Sequence, residues 1–119
     1  MPEMQSYEGG CHCGNVRYRA TADISTVMEC NCSHCSKKGF LLAFTPIENF
    51  EIISGEDGLT EYTFNKGVIR HLFCGACGVQ AFARGQMPDG TKMAALNVRC
   101  IDDIDLSALE IKPVDGKSF

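Results

Sequence analysis

Nowhere does the chain hold about eighteen consecutive apolar residues, the length a membrane-crossing helix needs. Its first twenty residues contain no apolar run long enough for a secretory signal, so the cytoplasm is the expected compartment and no membrane partner is expected. Basic charge is scarce too: 11 Lys and Arg stand against 15 Asp and Glu, a net charge of -4. A phosphate-rich partner draws its affinity from Lys and Arg, which disfavours nucleic acid. The one basic cluster, Lys37-Lys38, is short enough to be ordinary solvation of a loop. No internal period recurs and no low-complexity linker divides the chain, so neither a repeat array nor a second domain is expected.

What is present fits one globular unit. With 119 residues, 45% of them apolar and 22% charged, the chain suits a single domain over residues 1–119 with its core at about 7–109. It also carries eight cysteines. In a secreted domain these would form disulfides, whereas in a reducing compartment they point to metal ligands or catalytic thiols.

The coarse pattern is β. After the knuckle GGCHCG, residues Val16, Tyr18 and Ala20 alternate at period two, the signature of a half-buried strand. Residues 28–38 read as a polar metal loop in which Ser33 caps a short helical turn and Gly39 ends it. Buried strand is expected at 40–44, a turn at 46–49, strand at 50–53 and a turn at 55–58. Residues 59–64 and 68–73 flank Asn65-Lys66-Gly67 as a hairpin whose second arm runs into Cys74. Further strands are expected at 79–83 and 92–100, an irregular turn or short helix at 102–109, an edge strand at 110–112 and a loose C-terminus. The simplest architecture is a mainly β sandwich of antiparallel sheets.

Seven cysteines fall into three groups: Cys11 with Cys13, then Cys30, Cys32 and Cys35, then Cys74 with Cys77. Structural zinc takes four thiolates in tetrahedral geometry, and two short pairs each followed by glycine, Gly14 and Gly78, can supply two apiece from tight turns. Closing about sixty residues of loop costs a few kcal/mol, against roughly 10 to 16 kcal/mol from a structural zinc. Buried thiols or disulfides are the alternative for these four. The CxCxxC group supplies three thiolates and leaves a coordination position for water or substrate, the mark of catalytic zinc. Cys100 or His34 could instead close that second site and make it structural. Otherwise Cys100 is a buried thiol, His12 and His34 lie beside ligands without binding metal, and His71 is structural.

The segments GGCHCGNVRY, CNCSHCSKKG and LFCGACGVQAF, followed by NVRCIDDIDL, resemble the glutathione-dependent formaldehyde-activating enzyme family, which includes centromere protein V. The resemblance spans residues 7–109 and rests on the spacing within every cluster and on their order. It implies a β-tent of antiparallel sheets pinned by a structural zinc on Cys11, Cys13, Cys74 and Cys77. It further implies a second, catalytic zinc on Cys30, Cys32 and Cys35, two zincs per chain in all.

The activity implied is addition of glutathione to formaldehyde to give S-hydroxymethylglutathione, a carbon-sulfur lyase reaction, with a small-molecule thiol as partner. A thiol in the open zinc position would lose its proton and attack the carbonyl, so no protein nucleophile is needed. Lys37 and Lys38 could offset the thiolate charge there. Arg70, Arg84 and Arg99 are the residue types that could meet the carboxylates of glutathione, or else form surface ion pairs. Phe40 and Phe44 could line the pocket mouth or belong to the core. Two other readings stand beside the enzyme: a non-catalytic zinc module for protein interaction, and a thiol redox sensor at Cys30, Cys32 and Cys35.

Overall fold

The computed structural model describes residues 4–31, 33–63, 69–87 and 89–115. Strands β1 (Gln5–Gly10) and β2 (Arg17–Ala22) form an antiparallel pair in full register, joined by the first cysteine knuckle. The period-two pattern of β2 is realised in space, since Val16, Tyr18, Ala20 and Ala22 are all buried. Next come β3 (Thr26–Cys30), the short helix α1 (Ser33–Lys38), β4 (Leu42–Pro46) and β5 (Phe50–Ser54). They are followed by β6 (Leu59–Tyr62), β7 (Arg70–Cys74), β8 (Phe82–Gln86), β9 (Lys92–Asn97) and β10 (Glu110–Val114).

These strands make a three-stranded sheet ordered β1-β2-β5 and a seven-stranded sheet ordered β10-β3-β4-β9-β8-β7-β6. The inner face of the larger sheet carries the row Ala43, Leu96, Phe82 and Leu72, aligned by strand register and buried. Tyr18 and Phe50 of the smaller sheet pack onto it, with Phe50 and Phe82 ring centroids 4.7 Å apart and Tyr18 and Phe82 6.1 Å apart in an edge-on arrangement. The outer face carries the next row, Phe44, Ala95, Ala83, His71 and Tyr62.

Four local expectations shift by a few residues, each for a visible reason. Residues 40–44 are not buried throughout: β4 starts at Leu42 and alternates, leaving Phe44 45% exposed on the outer face. The strand expected at 79–83 starts only at Phe82, because the preceding carbonyls go elsewhere. Val79 accepts from the Cys74 amide at 3.1 Å and Ala81 from the Asn97 amide at 3.0 Å. The strand expected to run to Cys100 stops at Asn97, whose side chain accepts from the Arg99 amide and starts a 3-10 turn over Val98–Cys100. The last strand, β10, sits at the sheet edge as expected but pairs with β3 in parallel. Pro113 is tolerated there because an edge strand can spare an amide. The hairpin loop at residues 65–67 and the C-terminus from residue 116 lie outside the described residues.

Candidate metal centres and the cavities beside them

The first and third cysteine groups are built alike. Cys11 follows β1 and Cys13 lies two residues on, with Gly14 at φ 82° and its amide donating to the Cys11 carbonyl at 3.3 Å. Cys74 ends β7, and Gly78, at φ 81°, donates to the Cys74 carbonyl at 2.8 Å. Both glycines occupy the left-handed region that a tight turn needs and side chains resist. The tertiary fold then brings the knuckles together, so that the sulfurs of Cys11, Cys13, Cys74 and Cys77 lie within 4.8 Å of one another.

Their spacing suits a metal. A tetrahedral zinc with Zn–S bonds of about 2.3 Å sets its sulfurs about 3.8 Å apart. Cys11 and Cys13 are 3.6 Å apart, and Cys13 and Cys74 are 3.7 Å apart. Both separations are far longer than the about 2.04 Å of a disulfide. Electrostatics points the same way. The amide of Val79 draws the Cys77 thiol down to about 6, with the Cys13 amide assisting. Cys13 has an amide donor from Asn15, yet the neighbouring Cys11 and Cys74 thiols push it up to about 11. Four such thiols cannot all ionise in this volume unless a cation joins them, and zinc is the cation that a four-cysteine tetrahedron suits.

Cys30 and Cys35 of the middle group stand elsewhere. Cys30 is the last residue of β3 and half-buried, and Cys35 is the buried residue of α1. Both line a cavity of about 450 Å³ together with Asn31, Gly39, Phe40 and Asp115. Cys32 lies outside the described residues. The structure therefore places two of the three expected ligands on one cavity, outside the closed group of four.

Helix α1 is pinned by aromatic packing that sequence reasoning missed. His34 lies against His71 with ring centroids 4.0 Å apart, stacks on Tyr62 at 5.7 Å and meets Phe40 at 5.7 Å. The Lys38 ammonium sits 5.3 Å from the centroid of the Phe73 ring. A second cavity of about 610 Å³, lined by Ser33, His34, Lys37, Lys38, Tyr62 and Phe73, opens along this side of the helix. The pairing of β6 with β7 sets Tyr62 opposite His71, with Phe73 two residues further along β7. That α1 covers this face was not legible in the sequence.

His71 is 5% exposed, and its Nδ1 is 3.4 Å from the Gln80 side-chain amide, which also donates to the Phe82 carbonyl at 3.3 Å. Burial, and then the nearby charges of His34 and Lys38, pull its pKa down to about 4 from 6.5. The unfolded chain thus takes up a proton on this ring near pH 6.5 while the folded chain resists until about pH 4. The stabilising effect is complete above pH 6.5 and is lost as pH falls toward 4. A loss of about 1 kcal/mol between pH 6.5 and 5.5 is expected from this ring alone. Urea unfolding of zinc-loaded protein at the two pH values should show it, and His71→Gln should remove that part of the slope.

The remaining expected residues separate clearly. Arg70 pairs with Glu61, Arg84 lies 4.0 Å from Glu56, and the Arg99 Nε donates to the Gly39 carbonyl at 3.2 Å, tying down the end of α1. Phe40 lines the Cys30 cavity and Phe44 does not. The half-buried Cys100 donates to the Gln80 carbonyl at 3.7 Å. Burial, and then the charges of Cys11 and Cys77, raise its thiol to about 11, so its charged neighbours belong to the closed group rather than the middle one. His12 is exposed.

A mainly β protein with a four-cysteine metal site closed by two knuckles is the class that fold and geometry define. The sequence pattern of the glutathione-dependent formaldehyde-activating enzymes matches residues 6–115, and the chain belongs to that family. The crystal structure of a Rhodobacter sphaeroides protein has a similar fold, with a TM-score of 0.77 at 23% identity, covering 88% of this chain and 99% of that one. Membership suggests a zinc-binding protein with glutathione-related, lyase-type chemistry. Among the described residues no helix is long and apolar enough to cross a membrane.

Proposed function

We propose that this chain is a zinc-dependent carbon-sulfur lyase-type enzyme that joins a thiol, glutathione foremost, to formaldehyde or a related aldehyde. The observation that supports the reading is the division of the cysteines: four close a metal site in the fold, while Cys30 and Cys35 line an open cavity. On this reading each chain carries two zincs, a structural one on Cys11, Cys13, Cys74 and Cys77 and a catalytic one on Cys30, Cys32 and Cys35. The protein works as one unit in the cytoplasm, on small molecules and without a nucleic-acid or membrane partner.

Zinc on the middle group supplies a Lewis acid with one position left for the substrate thiol, at which that thiol can lose its proton. The chain's own residues do the rest. Cys30 and Cys35 would hold the zinc at the cavity wall, and Phe40, 5% exposed, closes that wall against water. The stacking of His34 on Tyr62 and its tilted contact with His71 fix α1, and with it the position of Cys35. Lys37 and Lys38 line the cavity on the other side of α1 and not this one. In the overall step a carbon-sulfur bond forms, the carbonyl π bond opens, and the thiol proton ends on the former carbonyl oxygen.

The test uses cobalt in the middle site with zinc kept in the closed one. Glutathione is expected to shift the cobalt absorption in a saturable manner, and formaldehyde added afterwards to yield S-hydroxymethylglutathione faster than the uncatalysed mixture. A spectrum unmoved by glutathione and by every small thiol tried would sink the enzyme reading and leave a zinc-held binding module.

A further inference from the structure

Gln80 lies between the second cysteine knuckle and β8, 4% exposed, and the catalytic reading above makes no use of it. Its side-chain nitrogen donates to the Phe82 carbonyl at 3.3 Å and lies 3.4 Å from His71 Nδ1, while its buried Oε1 finds no donor among the described residues. A buried oxygen without a donor costs stability, and turning the amide over would not cure it, because Oε1 would then oppose the Phe82 carbonyl. The amide is therefore oriented by what its nitrogen serves. That nitrogen has two hydrogens, one for each partner. Since it can only donate, His71 Nδ1 accepts, and the imidazole keeps its proton on Nε2.

Two lines of contact run from Gln80 to the two ends of α1. The first passes through its side chain: His71 lies against His34, in the first turn of the helix, with ring centroids 4.0 Å apart. The second passes through its main chain. The Gln80 carbonyl accepts from Asn97 Nδ2 at 2.9 Å, and Asn97 Oδ1 accepts from the Arg99 amide at 3.3 Å. Arg99 Nε in turn donates at 3.2 Å to the carbonyl of Gly39, the residue after the helix. Cys35 lies between these two anchors, and its carbonyl accepts from the Gly39 amide at 2.9 Å. A helix of six residues does not hold its own shape in water, so α1 depends on such contacts.

We infer that Gln80 is the positioning residue of the middle cysteine group: it holds α1 at both ends and so sets Cys35 relative to Cys30 on the cavity they share. Removing a residue that orients a metal ligand from outside the ligand set weakens the metal by about tenfold to a hundredfold. The inference rests on the catalytic reading only for the metal at that group. The grip on α1 stands on the hydrogen bonds and the ring contact.

The first measurement needs neither a variant nor a metal at the middle group. In protein with zinc in the four-cysteine site, long-range proton–nitrogen NMR spectra at neutral pH should show His71 with Nδ1 bare and Nε2 protonated. Gln80→Met removes the donor together with the unpartnered oxygen at nearly constant volume, so it should stay folded and keep the zinc of the four-cysteine site. In that variant the Gly39 amide, which reports the closure of α1, should exchange with solvent several-fold faster. Cobalt titrated into the middle group should bind about tenfold more weakly. Gln80→Glu, which sets an acceptor where the donor stood, is the second variant; it should bring the His71 proton to Nδ1 and weaken cobalt likewise. A residue that only filled the core would lower Tm and leave the cobalt affinity and the site of the imidazole proton unchanged. A proton on Nδ1 in the unaltered protein, or variants with unchanged Gly39 exchange or unchanged cobalt affinity, overturns the inference. If the unaltered protein takes no cobalt at the middle group while the His71 and Gly39 results hold, the catalytic reading falls and the grip of Gln80 on α1 stands.

Discussion

Cys74→Ser is expected to leave the chain unfolded under reducing conditions, with the zinc of the four-cysteine site lost. Cys74 is 0% exposed, ends β7 and sits in the hydrophobic core beside Cys11 and Phe82. Its sulfur faces Cys13, 61 residues away, and so ties the knuckle after β1 to the knuckle after β7. Those knuckles belong to different sheets, which makes the metal a staple across the sandwich rather than an ornament on one edge. A structural zinc contributes roughly 10 to 16 kcal/mol in small peptides, whereas whole domains are stable by about 5 to 15 kcal/mol, so most of the net stability rests on these four thiols. Far-UV circular dichroism with zinc analysis checks it. Cys100→Ser, which alters a thiol outside the closed group, is the control and should stay folded. A folded Cys74→Ser protein that keeps its metal would refute the structural assignment of this site.

Cys30→Ser should do the reverse: abolish glutathione-dependent consumption of formaldehyde, lowering kcat/KM at least about a thousandfold, with only a small fall in Tm. Cys30 closes β3 at the cavity mouth, half-buried and outside the hydrophobic core cluster. Around it, the backbone is held by β10 pairing alongside β3 and by the Asn31 amide donating to the Val114 carbonyl at 3.1 Å, neither of which needs the thiol. Elemental analysis should find one zinc per chain retained. Equal unfolding of Cys30→Ser and Cys74→Ser would show that the two groups do not divide their labour.

The closed site was legible because its information is local. A CxC or CxxC followed by glycine dictates a knuckle whatever surrounds it, since only glycine takes the left-handed turn at Gly14 and Gly78 without strain. Two such knuckles and the valence of zinc leave little choice of partner. The strand of Tyr18 and Ala20 was legible for the same reason, its alternation surviving unchanged in the burial of β2. Boundaries were less so. Where β9 would end turned on the Asn97 side chain capturing the Arg99 amide, and where β8 would begin turned on carbonyls taken by Cys74 and Asn97.

Residues 28–38 show the limit most clearly. Spacing alone marked Cys30, Cys32 and Cys35 as expected ligands, but not what would face them. Lys37-Lys38 read as solvation, His71 as a structural strand residue and Phe44 as buried core. The fold sets both lysines on a cavity, lays His71 under His34 and turns Phe44 outward.

By itself, then, the sequence determined the chemistry of this protein: seven clustered cysteines whose spacing matches zinc, β strands written in period-two alternation, and glycines where the knuckles turn. Only the tertiary structure decided that α1 lies over the outer row of the large sheet, and that one side of this helix is lined by lysines and the other by carboxylates. The physical reason is range. Ligand type, turn geometry and strand alternation are set within a few neighbouring residues, whereas a cavity is made by side chains from strands that are adjacent only after the sheet has paired.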